Sequence, residues 1–205
     1  TWSPPAWMKT NNAFIGKAGG IEGHLRPACY DAYALYLVKF IKAYAAHGIE
    51  VYATSIQNEP DHPSDYWPAM KMTSAEQAKF IRDHLAPLLR KEGMDTRIFC
   101  WDHNFDTDGY PMGKFAADIL GDTSVSKYVA GSAWHWYSGG FPEAILKTQQ
   151  QFPDKEIHFT EGSGGEWDPV RHWRDGFLTE MYYVVNLPRA HVKSIVWWNI
   201  ALDEN

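Results

Sequence analysis

Residues 31–60 read DAYALYLVKFIKAYAAHGIEVYATSIQNEP, and this run sets the fold. Asp31 can cap a helix, and apolar residues recur at Leu35, Val38, Ile41 and Ala45. Gly48 stops it, because glycine adopts the left-handed backbone with which helices often end. The spacing predicts a helix over 31–47. Residues 49–58 are then rich in β-branched and aromatic side chains, which predicts a strand ending at Glu59-Pro60.

The same couplet repeats outward from there. Thr73 with Glu76 forms a capping box for a helix to about Lys91, with a kink or break at Pro87. A strand over 96–101 follows. Pro111 opens a helix ending near Gly121, then comes a strand over 128–136. Pro142 opens a helix to Gln151, followed by a strand over 156–160. A helix over 169–187 and a strand over 194–199 complete the series. Residues 2–12 read as a loop arriving from a preceding element.

Strands that alternate with helices imply βαβ units and a parallel sheet. Polar and aromatic residues crowd every strand end: Asn58-Glu59, Asp102-His103-Asn104, His135-Trp136-Tyr137, Glu161 and Trp198-Asn199. In a (β/α)8 barrel all these ends open on one mouth. The competing architecture is a doubly wound sheet, which usually carries a glycine-rich phosphate turn after a strand. Gly162-Ser163-Gly164-Gly165 follows Glu161 but lacks that spacing and the helix directly after it. The expectation is an α/β fold, an incomplete (β/α)8 TIM barrel with about strands four to eight and their helices. A full barrel takes about 250 residues. The chain is thus read as one partial catalytic domain over 1–205, a piece of a longer protein. Its open strand edges predict low stability in isolation.

Composition removes other classes. Lys+Arg is 19 against Asp+Glu 25, a net charge of −6, so the clustered basic face of a nucleic-acid binder is not expected. No apolar run approaches the roughly 18–20 residues of a membrane span. Cys29 and Cys100 make neither a disulfide framework nor a thiolate zinc site, and one bridge between them stays open. Trp, Tyr and Phe make up 15% of the chain, several beside turn residues. Core packing accounts for many of them, and a platform for the C–H face of a sugar is the alternative.

Glu59 and Glu161 carry the chemical hypothesis. Each ends a predicted strand, so on one rim they can face each other. A retaining glycosidase needs a carboxylic acid to protonate the leaving oxygen and a carboxylate to attack the anomeric carbon from about 5–5.5 Å away. The acid needs a raised pKa and the nucleophile must stay ionised. Pleat alternation sends Asn58 and Glu59 to opposite faces, so both reach the mouth only if the strand bends at Glu59, before Pro60.

The motifs resemble glycoside hydrolase family 30, the glucosylceramidase family of clan A. Gln57-Asn58-Glu59-Pro60 is similar to the Asn-Glu-Pro acid/base motif. The opening Trp2-Ser3-Pro4-Pro5-Ala6-Trp7-Met8-Lys9-Thr10-Asn11 is similar to the family's loop after strand three. His135-Trp136-Tyr137, Phe159-Thr160-Glu161 and Trp198-Asn199-Ile200-Ala201-Leu202 follow in the family's order. The resemblance implies a catalytic barrel with a side β-sandwich, the latter absent from this chain. It implies Glu59 as acid/base, Glu161 as nucleophile and Asn58 as a partner of the sugar 2-OH. Trp198 would be the floor of the sugar site and Trp7 one of its walls. His135 and Tyr137 would hydrogen-bond near the nucleophile, and Asp102 and Asn104 would shape the pocket. Structural roles stay open: a core position for Trp198 and His135, a loop anchor for Trp7, and an arginine partner for Asp102. His103 departs from an acidic pair that often stands there in the family.

The implied activity is retaining β-glycoside hydrolysis, first on glucosylceramide or another β-glucoside, with β-1,6-glucan or β-xyloside as alternatives. The implied substrate is a glucosylated lipid or oligosaccharide, in a secreted or extracytoplasmic protein, with no cofactor. Two other classes compete. Metal-dependent hydrolysis would suit nine histidines, but they are scattered without HxH or HExxH. A carbohydrate-binding protein would need the aromatics but not two opposed carboxylates.

Overall fold

The structure is a computed structural model that describes residues 2–164 and 173–198. Helix α1 runs Tyr30–Ala46 and buries Tyr33, Leu37, Val38 and Ile41. It begins one residue before the expected cap. Asp31 lies inside the first turn, where its charge still suits the positive helix end. Its carboxylate meets His84 Nδ1 at 2.6 Å. Ahead of α1, Lys17–Ala18 (β1) and Ile21–Glu22 (β2) form an antiparallel hairpin in a stretch to which the sequence reading assigns no element.

Four parallel strands make the main sheet, in the order β3 (Ala53–Ser55), β4 (Arg97–Asn104), β5 (Gly131–His135) and β6 (Glu156–Glu161). Helices α2 (Ser74–Phe80) and α3 (Ala86–Lys91) lie between β3 and β4 in the chain. Next come α4 (Lys114–Gly121) and the one-turn α5 (Thr123–Ser126), and then α6 (Glu143–Gln151) between β5 and β6. Helix α7 (Trp173–Arg189) follows β6. A doubly wound sheet reverses its strand order at a switch point, and no reversal occurs among the described residues. Sequential parallel neighbours joined by helices are the wall of a barrel.

The capping box is present: Glu76 N donates to Thr73 Oγ1 at 3.2 Å and Thr73 N to Glu76 Oε2 at 2.8 Å. At Pro87 the break takes the form of a π-helical turn, Ile81–Leu85, between α2 and α3. The wider turn accommodates a residue that cannot donate to the carbonyl four positions back. Strand lengths differ from expectation. β3 keeps three residues of the ten, the stretch in register with residues 97–99 of β4. β4 runs on to Asn104. Of the expected last strand, Ile195 forms a single parallel bridge to Phe159, and Asn199 lies outside the described residues. So do 169–172, the expected start of α7, and Ile200-Ala201-Leu202.

One apolar core includes Tyr33, Phe80, Trp101, Phe115, Trp134 and Phe159. Full burial of each such side chain is worth about 1.5–3 kcal/mol. Cys29 and Cys100 are buried and unbonded, and burial pushes the Cys100 thiol up to about 12. No helix among the described residues is long and apolar enough to cross a membrane.

Two strands each carry one residue more than β5. Trp101 pairs with Ala133 and His103 with Trp134, which leaves Asp102 extra. Phe159 pairs with Trp134 and Glu161 with His135, which leaves Thr160 extra. Such bulges re-aim side chains near active sites. Trp101 and Asp102 take φ of 75° and 66° to make theirs.

Gly131 shows how tightly the sheet is closed. A Cβ built there lies 2.1 Å from the Glu156 carbonyl oxygen, a backbone atom. Gly131→Ala is therefore expected to cost about 1–3 kcal/mol by overpacking. The cost will appear as a lower urea midpoint with an unchanged slope. A wild-type midpoint would mean that the two strands separate freely.

Candidate active site

Asp102 organises the mouth of the sheet. Its Oδ2 accepts from Ser55 Oγ at 2.5 Å on β3. Its Oδ1 accepts from Thr160 Oγ1 at 2.6 Å on β6 and contacts His135 Nε2 at 3.2 Å on β5. One residue from each strand thus meets at one carboxylate. Burial alone would raise its pKa, but the His135 hydrogen bond and charge, then Ser55 and Thr160, hold it below the usual range. The arginine partner left open by the sequence is replaced by these groups.

The loop after β3 delivers Glu59. Its φ of 46° bends the chain, and its N–H donates to the Asp102 carbonyl at 3.0 Å. This is the bend that pleat alternation required. Asn58 and Glu59 now face the same cavity of about 580 Å³, with Asn104, Tyr137, Glu161 and Trp198. Across it, the Thr160 bulge sets Glu161 level with His135. One atom each of Glu59, His135 and Glu161 lies within 4.8 Å of the other two.

His135 is buried and bridges two acids, its Nδ1 lying 3.1 Å from Glu59 Oε1 and its Nε2 against Asp102. Burial lowers its pKa, but the hydrogen bonds to Asp102 and Glu59 and the surrounding carboxylate charge overcome this and raise it to about 10. It is an imidazolium with both nitrogens donating, which leaves no lone pair for a metal. The Glu59–His135–Glu161 cluster therefore suits proton sharing better than metal binding.

For Glu59, burial pushes upward, and the His135 hydrogen bond outweighs it, so the carboxyl stands below its ordinary value. For Glu161, burial raises the pKa, His135 opposes it, and the Glu59 and Asp102 charges add to the rise. The resting site thus leans opposite to the division expected from sequence, in which Glu59 holds the proton. The proton sits on His135, one hydrogen bond away from Glu59.

The remaining residues fall as follows. Tyr137 donates its hydroxyl to Glu161 Oε1 at 3.1 Å and lies 3.3 Å from Ser163 Oγ. Asn104 Oδ1 accepts from the Tyr137 N–H at 3.0 Å. Trp198 lines the cavity and packs on Trp2 at 4.9 Å, while Trp197 turns away onto Phe159 and Trp136. Trp7 is 60% exposed and outside the lining, and Trp2 of the same loop takes a place in it. Asp102 and His135 line an adjoining space that shares Trp2, Asn58, Glu161 and Trp198 with this cavity. Sequence reasoning missed His62, Trp67 and Ser163 in the lining, and Thr160 and Ser55 as partners of Asp102. The His62 and Trp67 rings pack at a tilt, 5.6 Å apart, and their nearness in sequence to Glu59 was the available signal.

His135 couples stability to pH. Its folded pKa is raised from 6.5 to about 10, so its contribution is complete below 6.5 and is lost as pH rises through 10. His135→Phe leaves two acids without their cation and is expected to cost about 3–5 kcal/mol at neutral pH. Urea melts should show that this difference shrinks between pH 7 and 10. A difference independent of pH would remove the charge from His135.

The sequence profile of the glycosyl hydrolase family 30 TIM-barrel domain matches residues 1–204. An endo-1,6-beta-D-glucanase of Neurospora crassa is 35% identical over 78% of this chain and 32% of its own. The lysosomal acid glucosylceramidase of Mus musculus is 28% identical over 98% of this chain and 40% of its own. The solved structure of an endo-beta1,6-glucanase superposes with a TM-score of 0.89 at 32% identity, covering 99% of this chain and 45% of that one. The chain spans 32% to 40% of the length of these curated relatives. With the profile matched over nearly every residue and the parallel wall in place, the chain belongs to glycosyl hydrolase family 30 and forms part of its TIM-barrel domain.

Proposed function

We propose that this chain carries both reacting carboxylates of a retaining β-glycoside hydrolase, with Glu161 as nucleophile and Glu59 as acid/base. The carrying observation is their approach within 4.8 Å at one cavity. Retaining sites hold their carboxyls about 5–5.5 Å apart, and inverting sites about 6.5–9.5 Å to admit a water. In the first step a Glu161 oxygen bonds to the anomeric carbon as the leaving oxygen departs with the Glu59 proton. In the second, Glu59 takes a proton from water, and the water oxygen displaces Glu161.

The assignment of roles follows from the neighbours. Glu59 shares a hydrogen bond with the protonated His135, which can supply the proton for its first turnover, and the water of the second step restores that proton afterwards. Glu161 has a Tyr137 hydroxyl, a donor that steadies a carboxylate. While Glu161 is charged, its closeness favours the protonated form of Glu59. Ester formation removes that charge and frees Glu59 to act as base.

The bond cleaved is a β-glucosyl bond, with a β-1,6-linked glucan favoured as substrate over glucosylceramide. The similarity to two endo-1,6-glucanases supports this. So does the His62–Trp67 wall beside Glu59, an aromatic surface suited to a second sugar ring. Likeness to a glucosylceramidase supports the lipid as second reading.

An activated 2-fluoro-glucoside should trap the full-length protein as a covalent ester, and peptide mapping should find the label on Glu161. A label on another residue would remove Glu161 as nucleophile. Turnover of β-1,6-linked gluco-oligosaccharides should exceed that of glucosylceramide, and the reverse ranking selects the lipid. Glu161→Gln should keep sugar binding and lose turnover, whereas a pure binding protein has no turnover to lose.

A further inference from the structure

His103 lies against the acid/base candidate and has no assigned role. It is 2% exposed, and neither ring nitrogen has a hydrogen-bond partner among the described residues. Buried polar groups without partners are rare and call for a reason. Its Nδ1 is 3.6 Å from Glu59 Oε1, the oxygen that His135 approaches at 3.1 Å. That distance is too long for a hydrogen bond but short enough for a small shift to close. The ring packs on Trp101 at 4.9 Å, within the strand segment distorted by the Asp102 bulge.

We propose that His103 is a positioning residue for Glu59, whose Nδ1–H closes onto Oε1 as that oxygen gains charge during proton transfer. The proposal rests on Glu59 being the acid/base. The groups that face His103 are Glu59, Asp61 and His62 from the loop after β3, and His135 from β5. Burial pushes His103 down to about 4, so it is a neutral ring with one N–H at working pH. Facing a carboxylate, that proton belongs on Nδ1, because a lone pair there would repel the acid's charge. A carboxylate oxygen accepts two donors, so His103 adds to His135 rather than displacing it. A contact that is loose while Glu59 carries its proton and tightens as that proton leaves favours the transition state over the ground state. As the bond from C1 to the leaving oxygen breaks and the bond from C1 to Glu161 forms, the Glu59 proton passes to the leaving oxygen. The new charge on Glu59 is then shared by two N–H donors.

The test compares His103→Phe and His103→Asn in the full-length protein. Phenylalanine keeps the packing on Trp101 but has no donor, whereas asparagine places an N–H near the position of Nδ1. Two substrates are used. An unactivated β-1,6-linked gluco-disaccharide needs a proton on its leaving group, and a 2,4-dinitrophenyl β-glucoside does not. His103→Phe should lose about 10–100-fold in kcat/KM on the disaccharide and clearly less on the aryl glucoside. The basic limb of its pH profile should move up, because a carboxylate short of a donor holds its proton more tightly. His103→Asn should recover most of the loss. Equal losses on both substrates, an unmoved basic limb, or an asparagine variant no better than the folded phenylalanine variant would overturn the proposal. Glu59→Gln, run alongside, separates the two layers. If Glu59→Gln depends on the leaving group and His103→Phe does not, only the role of His103 falls. If Glu59→Gln shows no such dependence, the acid/base assignment falls with it.

Discussion

The mouth of this barrel wall depends on one buried carboxylate meeting a donor from each neighbouring strand. An ionised acid out of water is costly unless it is fully paired. Asp102 is paired by Ser55, Thr160 and His135, and its own backbone carbonyl takes the N–H of Glu59. Each partner sits on a different element, so satisfying this one charge fixes four elements relative to one another. His135 is held in a single orientation by two acids, and its second nitrogen in turn sets Glu59. Position passes from a structural charge to the proposed acid/base through a single ring.

The same chain of contacts governs where protons rest. Glu59, Asp102 and Glu161 crowd one imidazolium, and His135 keeps its proton because so much negative charge surrounds it. Among the described residues Glu161 takes its hydrogen bond from the Tyr137 hydroxyl rather than from His135, and burial dominates it. Two like carboxyls a few ångströms apart are thereby made unequal by their second neighbours. The order is the reverse of the one the proposed first displacement needs, with the spare proton held on His135 rather than on Glu59.

Much of this was legible from residues 31–60 and their repeats. The alternation of helix and strand, the Thr73 capping box and the placing of Glu161 at a strand end come from local pattern, whereas Glu59 lies in the loop beyond β3 rather than at its end. What was not legible is what pairing decides. β3 is short because its ladder with β4 covers residues 53–55, a limit that β-propensity does not register. The bulges at Asp102 and Thr160 have no local mark, since nothing in Trp101-Asp102 announces a left-handed backbone. Trp2 and Trp7 flank the same prolines and look equivalent, and only long-range packing on Trp198 separates them. Asp102 looked like a pocket-shaping acid, and its role as a junction of strands appeared only with the register.

The paired bulges have a consequence for how such a sequence can change over evolutionary time. Side chains alternate along a strand, so deleting one residue inverts every position beyond it. Loss of Thr160 alone would send Glu161 toward the helices, and loss of Asp102 alone would exchange the faces of the two residues that follow it. Since each extra residue satisfies the other across β5, drift in spacing at one is opposed by both. Insertions and deletions in this lineage should gather in the segments that link strand to helix, while the interval from each bulge to its strand end stays constant even where the amino acids differ.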